Sequence, residues 1–382
     1  MSAETVMKVP FFMHDLGKAE LKAVEEVLSG PILTTGEWVE RFEGRFADYV
    51  GARHAVAVTS CTGALHISLL ALGIGPGDEV ITTPMTFIAT STAILEAGAR
   101  PVFVDVEPET GNLDASRVEA AITPRTRAIM PVHLYGQMCD MRALRKLADS
   151  YGLAIIEDAA HCVEGTRDGI RTGQLGDTAC YSFYATKNLT CGEGGALVCN
   201  DDALAEKLRL LRLHGMNKNA NDRHREGYKH WDMTMLGWKY NMDNIQAALL
   251  LPQMDRLDEN WRKRRELARY YGEQLWDIPN LSRPATLPGV DHAWHLFSVW
   301  VGNNERDRVI QEMQEGGVSV MVNYRAIHLL TYFRENFGFQ PGAFPIAERI
   351  GDASLSLPFY PNMPLEHVDR VAEMLRHTLA HS

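Results

Sequence analysis

The sequence predicts an α/β fold in which a mainly parallel sheet carries helices on both faces. Two observations carry that expectation. From His54 to Cys199, short β-rich apolar runs alternate with stretches of helical period, the pattern of strands joined by helical crossovers. Within Gly152–Cys199, the runs LAIIE, ACYSF and ALVC have the length and content of buried strands. At 382 residues the chain is long enough for two units. The expected division is a large sheet-bearing unit over 1–250 and a smaller α/β unit over 251–382, reached by a long bridging helix.

In chain order, Asp15–Leu28 sets Leu16, Ala19, Ala23 and Val27 at helical spacing, and SGPILTTG ends that helix. WVERFEGRFADYVG follows as a helix, with Trp38, Phe42, Phe46 and Val50 as a core-facing stripe. AVAV, EVITTP, PVFVDV and RAIMPV are strands, separated by helices at SCTGALHISLLALG, TFIATSTAILEAG and Leu113–Ile122. MRALRKLADSYG is the helix that leads into LAIIE. Only a short loop joins ACYSF to ALVCN, too little for a crossover, so one edge should leave the parallel pattern. DALAEKLRLLRLHG is a helix, and the polar stretch NKNANDRHREGYKHWD is a long loop. Asp243–Leu275 reads as one long charged helix that Pro252 breaks or kinks. Later, HLFSVWV and VSVMVNY are strands, and HVDRVAEMLRHTLAHS is a final helix.

Composition narrows the function. The hydrophobic fraction of 46% and charged fraction of 23% are those of a globular protein. A formal net charge of -11 argues against a nucleic-acid partner. The six cysteines show no CxxC spacing and sit mostly in apolar runs, so buried free thiols are expected and no metal site. MSAETVMKVPFF lacks the apolar core of a signal peptide, and no run reaches membrane-spanning length. A cytoplasmic protein is the expectation.

The polar residues at the strand ends carry the chemistry. Asp158 closes LAIIE, Ser182 lies at the end of ACYSF, and Lys187 sits in the loop before ALVC. Strand ends of an open α/β sheet are where ligands gather. A carboxylate and a lysine there suit pyridoxal phosphate, whose aldehyde takes an amine and whose ring nitrogen takes a carboxylate. The turn Ser60-Cys61-Thr62-Gly63 offers a helix N-terminus to an anion, or is an ordinary cap by Ser60 or Thr62. Phe87 follows a strand end and would lie over a planar cofactor or pack in the core. His161, three residues beyond Asp158, has a structural alternative, and Asn241 has a helix-capping one. SCTGALHISLL holds no GxGxxG turn, which argues against a dinucleotide enzyme.

In order, TSCTGALH, PMTFIAT, IEDAAH, YSFYATKNLTCGEGG, RLHG and KYNM closely resemble the DegT/DnrJ/EryC1/StrS family of PLP-dependent nucleotide-sugar aminotransferases. The likeness runs from SGPILTTG to LSLPFYPNM. It implies an aspartate-aminotransferase-like fold (PLP fold type I): a mixed, mostly parallel sheet flanked by helices, a smaller C-terminal α/β domain, and a homodimer with shared active sites. It implies that Lys187 binds the cofactor and moves the substrate proton, that Asp158 holds the ring nitrogen, that Phe87 stacks on the ring and that His161 lies beside it. Thr62, Gly63 and Ser182 would hold the phosphate, with Asn241 reaching in from the partner. Thr35, Tyr324, Arg325 and His328 match substrate-side positions, and the loop 217–232 is a candidate to close over a diphosphate. Cys61, Gly63 and Cys191 depart from the usual motif without removing a needed group. Lys187, in place of the histidine of a dehydratase branch, implies transamination. ILTTG, YATKNLTCGEGG, HAWHLF and YRAIH look most like enzymes that aminate C4 of UDP-linked 4-keto sugars with glutamate as donor. Amination of a 3-keto sugar or a cyclitol, and a non-catalytic PLP-binding regulator, are the alternatives.

Overall fold

The computed structural model describes residues 7–217 and 230–380. Its strands, in chain order, are β1 His54–Val58, β2 Glu79–Thr82, β3 Arg100–Phe103, β4 Thr126–Ile129, β5 Ala154–Asp158, β6 Thr166–Arg167, β7 Ile170–Arg171, β8 Thr178–Ser182, β9 Gly195–Cys199, β10 Leu281–Ser282, β11 Val290–Asp291, β12 Phe297–Val301 and β13 Ser354–Leu357. Seven of them form the central sheet in the order β1-β9-β8-β5-β4-β2-β3. The pairs from β8 through β5, β4 and β2 to β3 are parallel. β9 runs antiparallel to both neighbours, so the edge that the short loop predicts to be irregular is the one that departs. The α/β class and its mixed, mostly parallel sheet are as expected.

Helices cover both faces. Cys61–Ala71 and Asp202–Leu211 bury apolar residues with Val56, Ile156 and Leu197 on one side. The stripe of Phe42, Phe46 and Val50 on Glu37–Val50 packs with Tyr181, Phe183 and Val198 on the other. Such two-sided burial is why the central strands read as continuous apolar runs.

A three-stranded antiparallel sheet, β10-β12-β13, organises the C-terminal part. Its core gathers Phe297, Val299, Leu355 and Leu357 with Val371 and Leu375 of the final helix, Leu365–Leu379. A third small sheet, β11-β6-β7, joins the segment before β12 to the turn after β5.

One sequence expectation is sharpened and two are corrected. Asp243–Leu275 is two helices, Asn244–Met254 and Leu257–Leu275, with Pro252 inside the last turn of the first. That is where the missing N–H and ring clash end a helix. Leu113–Ile122 holds only the turns Ala115–Val118 and Glu119–Ala121. VSVMVNY is no ladder strand: Val318 and Met321 make isolated bridges to Val9 and Ser356, and β13 pairs with β12 instead. No helix among the described residues is long and apolar enough to cross a membrane. All six cysteines are buried free thiols.

Candidate active site

A cavity of about 540 Å3 opens where the carboxyl ends of β1, β2, β4, β5 and β8 meet, and Lys187 lies in its wall. Each side chain arrives on a turn that follows a strand. Ser60, Cys61 and Thr62 follow β1, Thr86 and Phe87 follow β2, Asp158 ends β5 and Ser182 ends β8. The turn after β1 lies so close to β9 that a Cβ on Gly195 would stand 2.5 Å from the Cys61 amide nitrogen. A glycine is what lets the helix Cys61–Ala71 begin at the cavity floor.

That helix start has both features weighed from the sequence. Ser60 Oγ accepts from the Gly63 amide at 3.0 Å, so Ser60 is the cap. The first-turn amides of Cys61 and Thr62 have no intrahelical acceptor, and both residues line the cavity. The cap and the anion site therefore coexist. Gly63 stands one residue behind, under the Tyr240 ring; a Cβ there would meet that ring at 3.2 Å.

Asp158 is buried, with Thr90 Oγ1 donating to Oδ2 at 2.7 Å and the Ala160 amide to Oδ1 at 3.2 Å. Burial pushes its carboxyl above the ordinary range, opposed by those hydrogen bonds and by the charge of Lys187. Burial also brings the Lys187 amine down to about 8, against the pull of Cys61 and Asp158. At neutral pH an amine so placed keeps a usable fraction of its free-base form.

Two histidines flank the lysine, and their neighbours fix their tautomers. His161 Nδ1 accepts from the Tyr135 amide at 3.2 Å, which leaves the proton on Nε2, 3.1 Å from the Tyr324 hydroxyl. Burial, reinforced by the Lys187 charge, holds His161 well below its ordinary pKa, so it is neutral. His295 lies against it, tilted by 44°, at 4.4 Å between ring centroids. Its Nδ1 lies 3.3 Å from Asn188 Oδ1, which can only accept, so Nε2 is bare and faces Lys187 Nζ at 3.4 Å. Asn188 is held in turn by donating to Glu164 Oε2 at 2.9 Å and to the Ala293 carbonyl at 3.2 Å.

Thr62, Phe87, Asp158, His161, Ser182, Lys187 and Tyr324 thus share one cavity. Phe87 is 55% exposed on the rim, its ring 5.8 Å from that of Tyr324, so it is not a core residue. Besides Gly63, four of the residues singled out from the sequence lie off the cavity wall. Thr35 and Asn241 form their own buried pair, with Asn241 Nδ2 donating to Thr35 Oγ1 at 2.7 Å. Asn241 does not cap the following helix, because Asp243 does. Arg325 is exposed outside the cavity. His328 is fully buried, 2.9 Å from Glu348 and against the ring of Phe344, and does not line the cavity. The candidate closing loop falls mostly on residues 218–229, outside the described residues. Its ends are paired, the Asn217 amide donating to the Asp232 carbonyl at 3.1 Å.

Sequence reasoning missed Thr86, Thr90, Glu193, His295 and Asn323, of which all but Thr90 line the cavity. Thr86 and Thr90 lie in PMTFIAT, Glu193 in the GEGG turn and His295 in HAWHLF, so each except Asn323 stood inside a motif that carries the resemblance. The place of His295 beside Lys187 depends on packing between segments more than a hundred residues apart.

Residues 14–376 match the DegT/DnrJ/EryC1/StrS aminotransferase family. The chain is 43% identical over 374 residues to the spore coat polysaccharide biosynthesis protein SpsC of Bacillus subtilis (strain 168), covering 96% of each. Among solved structures it is similar to DesV of S. venezuelae in complex with a ketimine intermediate, at 38% identity and a TM-score of 0.89, covering 97% of this chain and 98% of that one. The PLP form of the sugar aminotransferase Spr1654 from Streptococcus pneumoniae superposes at a TM-score of 0.91 with 29% identity, covering 98% and 99%.

Proposed function

The chain belongs to the DegT/DnrJ/EryC1/StrS aminotransferase family, and from that premise we propose that it moves the amino group of L-glutamate to C4 of a UDP-linked 4-keto sugar. The broader statement is that it is a PLP-dependent sugar aminotransferase, with a keto sugar and an amino donor as substrates. Support for the finer reading comes from ILTTG, YATKNLTCGEGG, HAWHLF and YRAIH, which resemble enzymes acting on UDP-linked 4-keto sugars. The single observation that carries the chemistry is a buried Asp158 and a half-buried Lys187 in one cavity, with a free helix N-terminus at its floor.

The donor set fits pyridoxal phosphate: a buried carboxylate, an amine of lowered pKa, and hydroxyls beside first-turn amides. When bound, the cofactor supplies a carbonyl for amine exchange and an electron sink for the carbon that loses its proton. Thr62 and Ser182, with the amides of the Cys61–Ala71 helix, would hold the phosphate. Asp158, fixed by Thr90, would keep the ring nitrogen protonated. Phe87 would cover one ring face and His161 would lie beside the ring. Lys187 would bind the cofactor, then act as the base and acid that carries the substrate proton, with His295 Nε2 orienting its amine.

Thr35 and Asn241 are proposed to serve the cavity of a second copy, which makes the homodimer the working unit. Tyr324 would contact the sugar from the cavity wall and Arg325 from its rim. His328 would act only through the Glu348 contact that shapes the segment after Arg325. The two units are proposed as 1–250 and 251–382. Six buried thiols fit a reducing cytoplasm.

The test is a visible absorption titration of the PLP-loaded protein. Glutamate should bleach the lysine-bound cofactor band, and a UDP-linked 4-keto sugar should restore it. Restoration only by a dTDP-linked or 3-keto sugar would overturn the acceptor. Bleaching by another amino acid but not by glutamate would overturn the donor.

A further inference from the structure

A larger cleft of about 810 Å3 lies behind the active site, between the helix Leu257–Leu275 and the segment 283–298. Its walls carry Arg262, Arg265, Arg269 and Arg283, against the carboxylates of Glu266 and Asp291. In a chain of net charge -11 such a concentration of guanidinium is a local reversal of sign.

Three features mark this as a built site. Arg262, Arg265 and Arg269 stand at helical spacing on one face, where like charges three and four residues apart oppose each other and weaken the helix. Arg269 is answered by Glu273. Arg262, Arg265 and Arg283 make no hydrogen bond or ion pair among the described residues, and Arg265 rests on the Trp261 ring at 4.7 Å. Arg283, from the opposite wall, reaches across to Gly272 in the last turn of the same helix, where a Cβ would stand 2.6 Å from its Nη1.

The third feature is the partition between the cleft and the active site. Tyr135 and Trp294 line the cleft at φ 59° and 52°, left-handed values that bulky side chains rarely take. The Tyr135 amide holds His161, and its carbonyl accepts from the His295 amide at 3.1 Å. Leu296 lines both cavities. The two sites therefore stand back to back across one thin, strained wall.

We propose that this cleft is a second ligand site, which takes a small polyanion carrying two or more phosphate charges. A volume of about 810 Å3 is that of a small-molecule pocket, and three unanswered guanidiniums on facing walls would share out the oxygens of a diphosphate. The negative charge of the whole chain disfavours a polymeric anion.

The test is calorimetric titration of the PLP-saturated enzyme with inorganic pyrophosphate, with sulfate at matched ionic strength as control. The cofactor already fills its own phosphate subsite in that form. Saturable binding of pyrophosphate that weakens with added salt is expected. Arg265→Ala/Arg283→Ala should weaken it at least tenfold with PLP content and melting temperature unchanged, and Arg265→Lys/Arg283→Lys should recover part of it. Arg262→Ala serves as an independent variant should the double one fold poorly. Absence of saturable binding, or binding that none of these variants weakens, would overturn the proposal.

Discussion

The two ends of the active-site cavity are built differently. At the cofactor end, Asp158 and Ser182 are the last residues of β5 and β8, and Thr62 stands in the first turn of the helix that follows β1 of the same sheet. Those strands are buried on both faces, so the backbone that carries the chemistry has little freedom. At the periphery only Tyr324 reaches the cavity of its own chain, while the substrate-side Thr35, Arg325 and His328 and the phosphate-side Asn241 lie off it. These residues come from the N-terminal segment, the stretch before Asn244–Met254 and the loop before Thr331–Phe337. A site fixed by sheet topology is complete in one chain. A site assembled from peripheral segments is completed by whatever packs against them.

The largest effects should fall at the cofactor end. Lys187→Ala should abolish turnover, a loss on the order of 10³-fold or more, with loss of the visible cofactor band. Asp158→Asn should lower kcat by about 10²- to 10³-fold, with KM for the sugar little changed, as expected for a charge that matters mainly in the transition state. Similar losses from a substitution at Arg325 would erase the contrast between the two ends.

Burial gives this end a pH signature. The Lys187 amine is held down at about 8, and only its neutral form attacks the cofactor carbonyl. Loading of apoenzyme with pyridoxal phosphate should therefore accelerate about tenfold per pH unit below 8 and level off above it. Stopped-flow absorbance at a series of pH values would show this. A rate still climbing through pH 10 would mean that the lysine is solvated and the cavity loosely built.

Among the peripheral residues, Asn241→Ala should weaken cofactor binding by about tenfold, the worth of one charge-assisted hydrogen bond to phosphate. The sharper measurement mixes this variant with Lys187→Ala. If Asn241 serves its partner, the hybrid dimer pairs an intact Lys187 with an intact Asn241 at one of its two sites, and activity returns on mixing. Were Asn241 to serve its own chain, no combination of the two would recover.

The same division explains what could be read from the sequence. Strand ends are local: IEDAAH and YSFYATKNLTCGEGG each put a polar residue at the close of an apolar run, and Asp158, Ser182 and Lys187 were legible for that reason. The mixed edge of the sheet was legible because a short loop cannot carry a crossover. His295 and Thr90 were not, since each meets its partner across a long sequence separation that no periodicity records. The two-helix break at Asp255–Arg256 shows in Pro252. VSVMVNY misled because an alternating apolar pattern also suits an extended segment buried beside a sheet, as Val318 and Val320 are.

His328 separates the two ends most finely, because its sequence position suggested substrate and its surroundings indicate packing. Its Nε2 lies 2.9 Å from Glu348 Oε1, and the same carboxylate accepts from the amides of Gly342 and Phe344. Burial lowers its pKa, so a neutral ring donates to Glu348. Replacing it leaves that carboxylate short of a donor inside a cluster that includes Phe339 and Phe344. His328→Asn should accordingly cost about 1–3 kcal/mol of stability, while KM and kcat stay within about twofold of the parent at temperatures where the variant is folded. Tyr324→Phe should do the reverse: it removes the hydroxyl that receives the His161 proton, so it should alter kcat/KM severalfold at little cost in melting temperature. A His328 variant that melts normally yet loses its affinity for the sugar would put this residue in the substrate path, and would require the segment around Glu348 to rearrange when the dimer forms or the sugar binds.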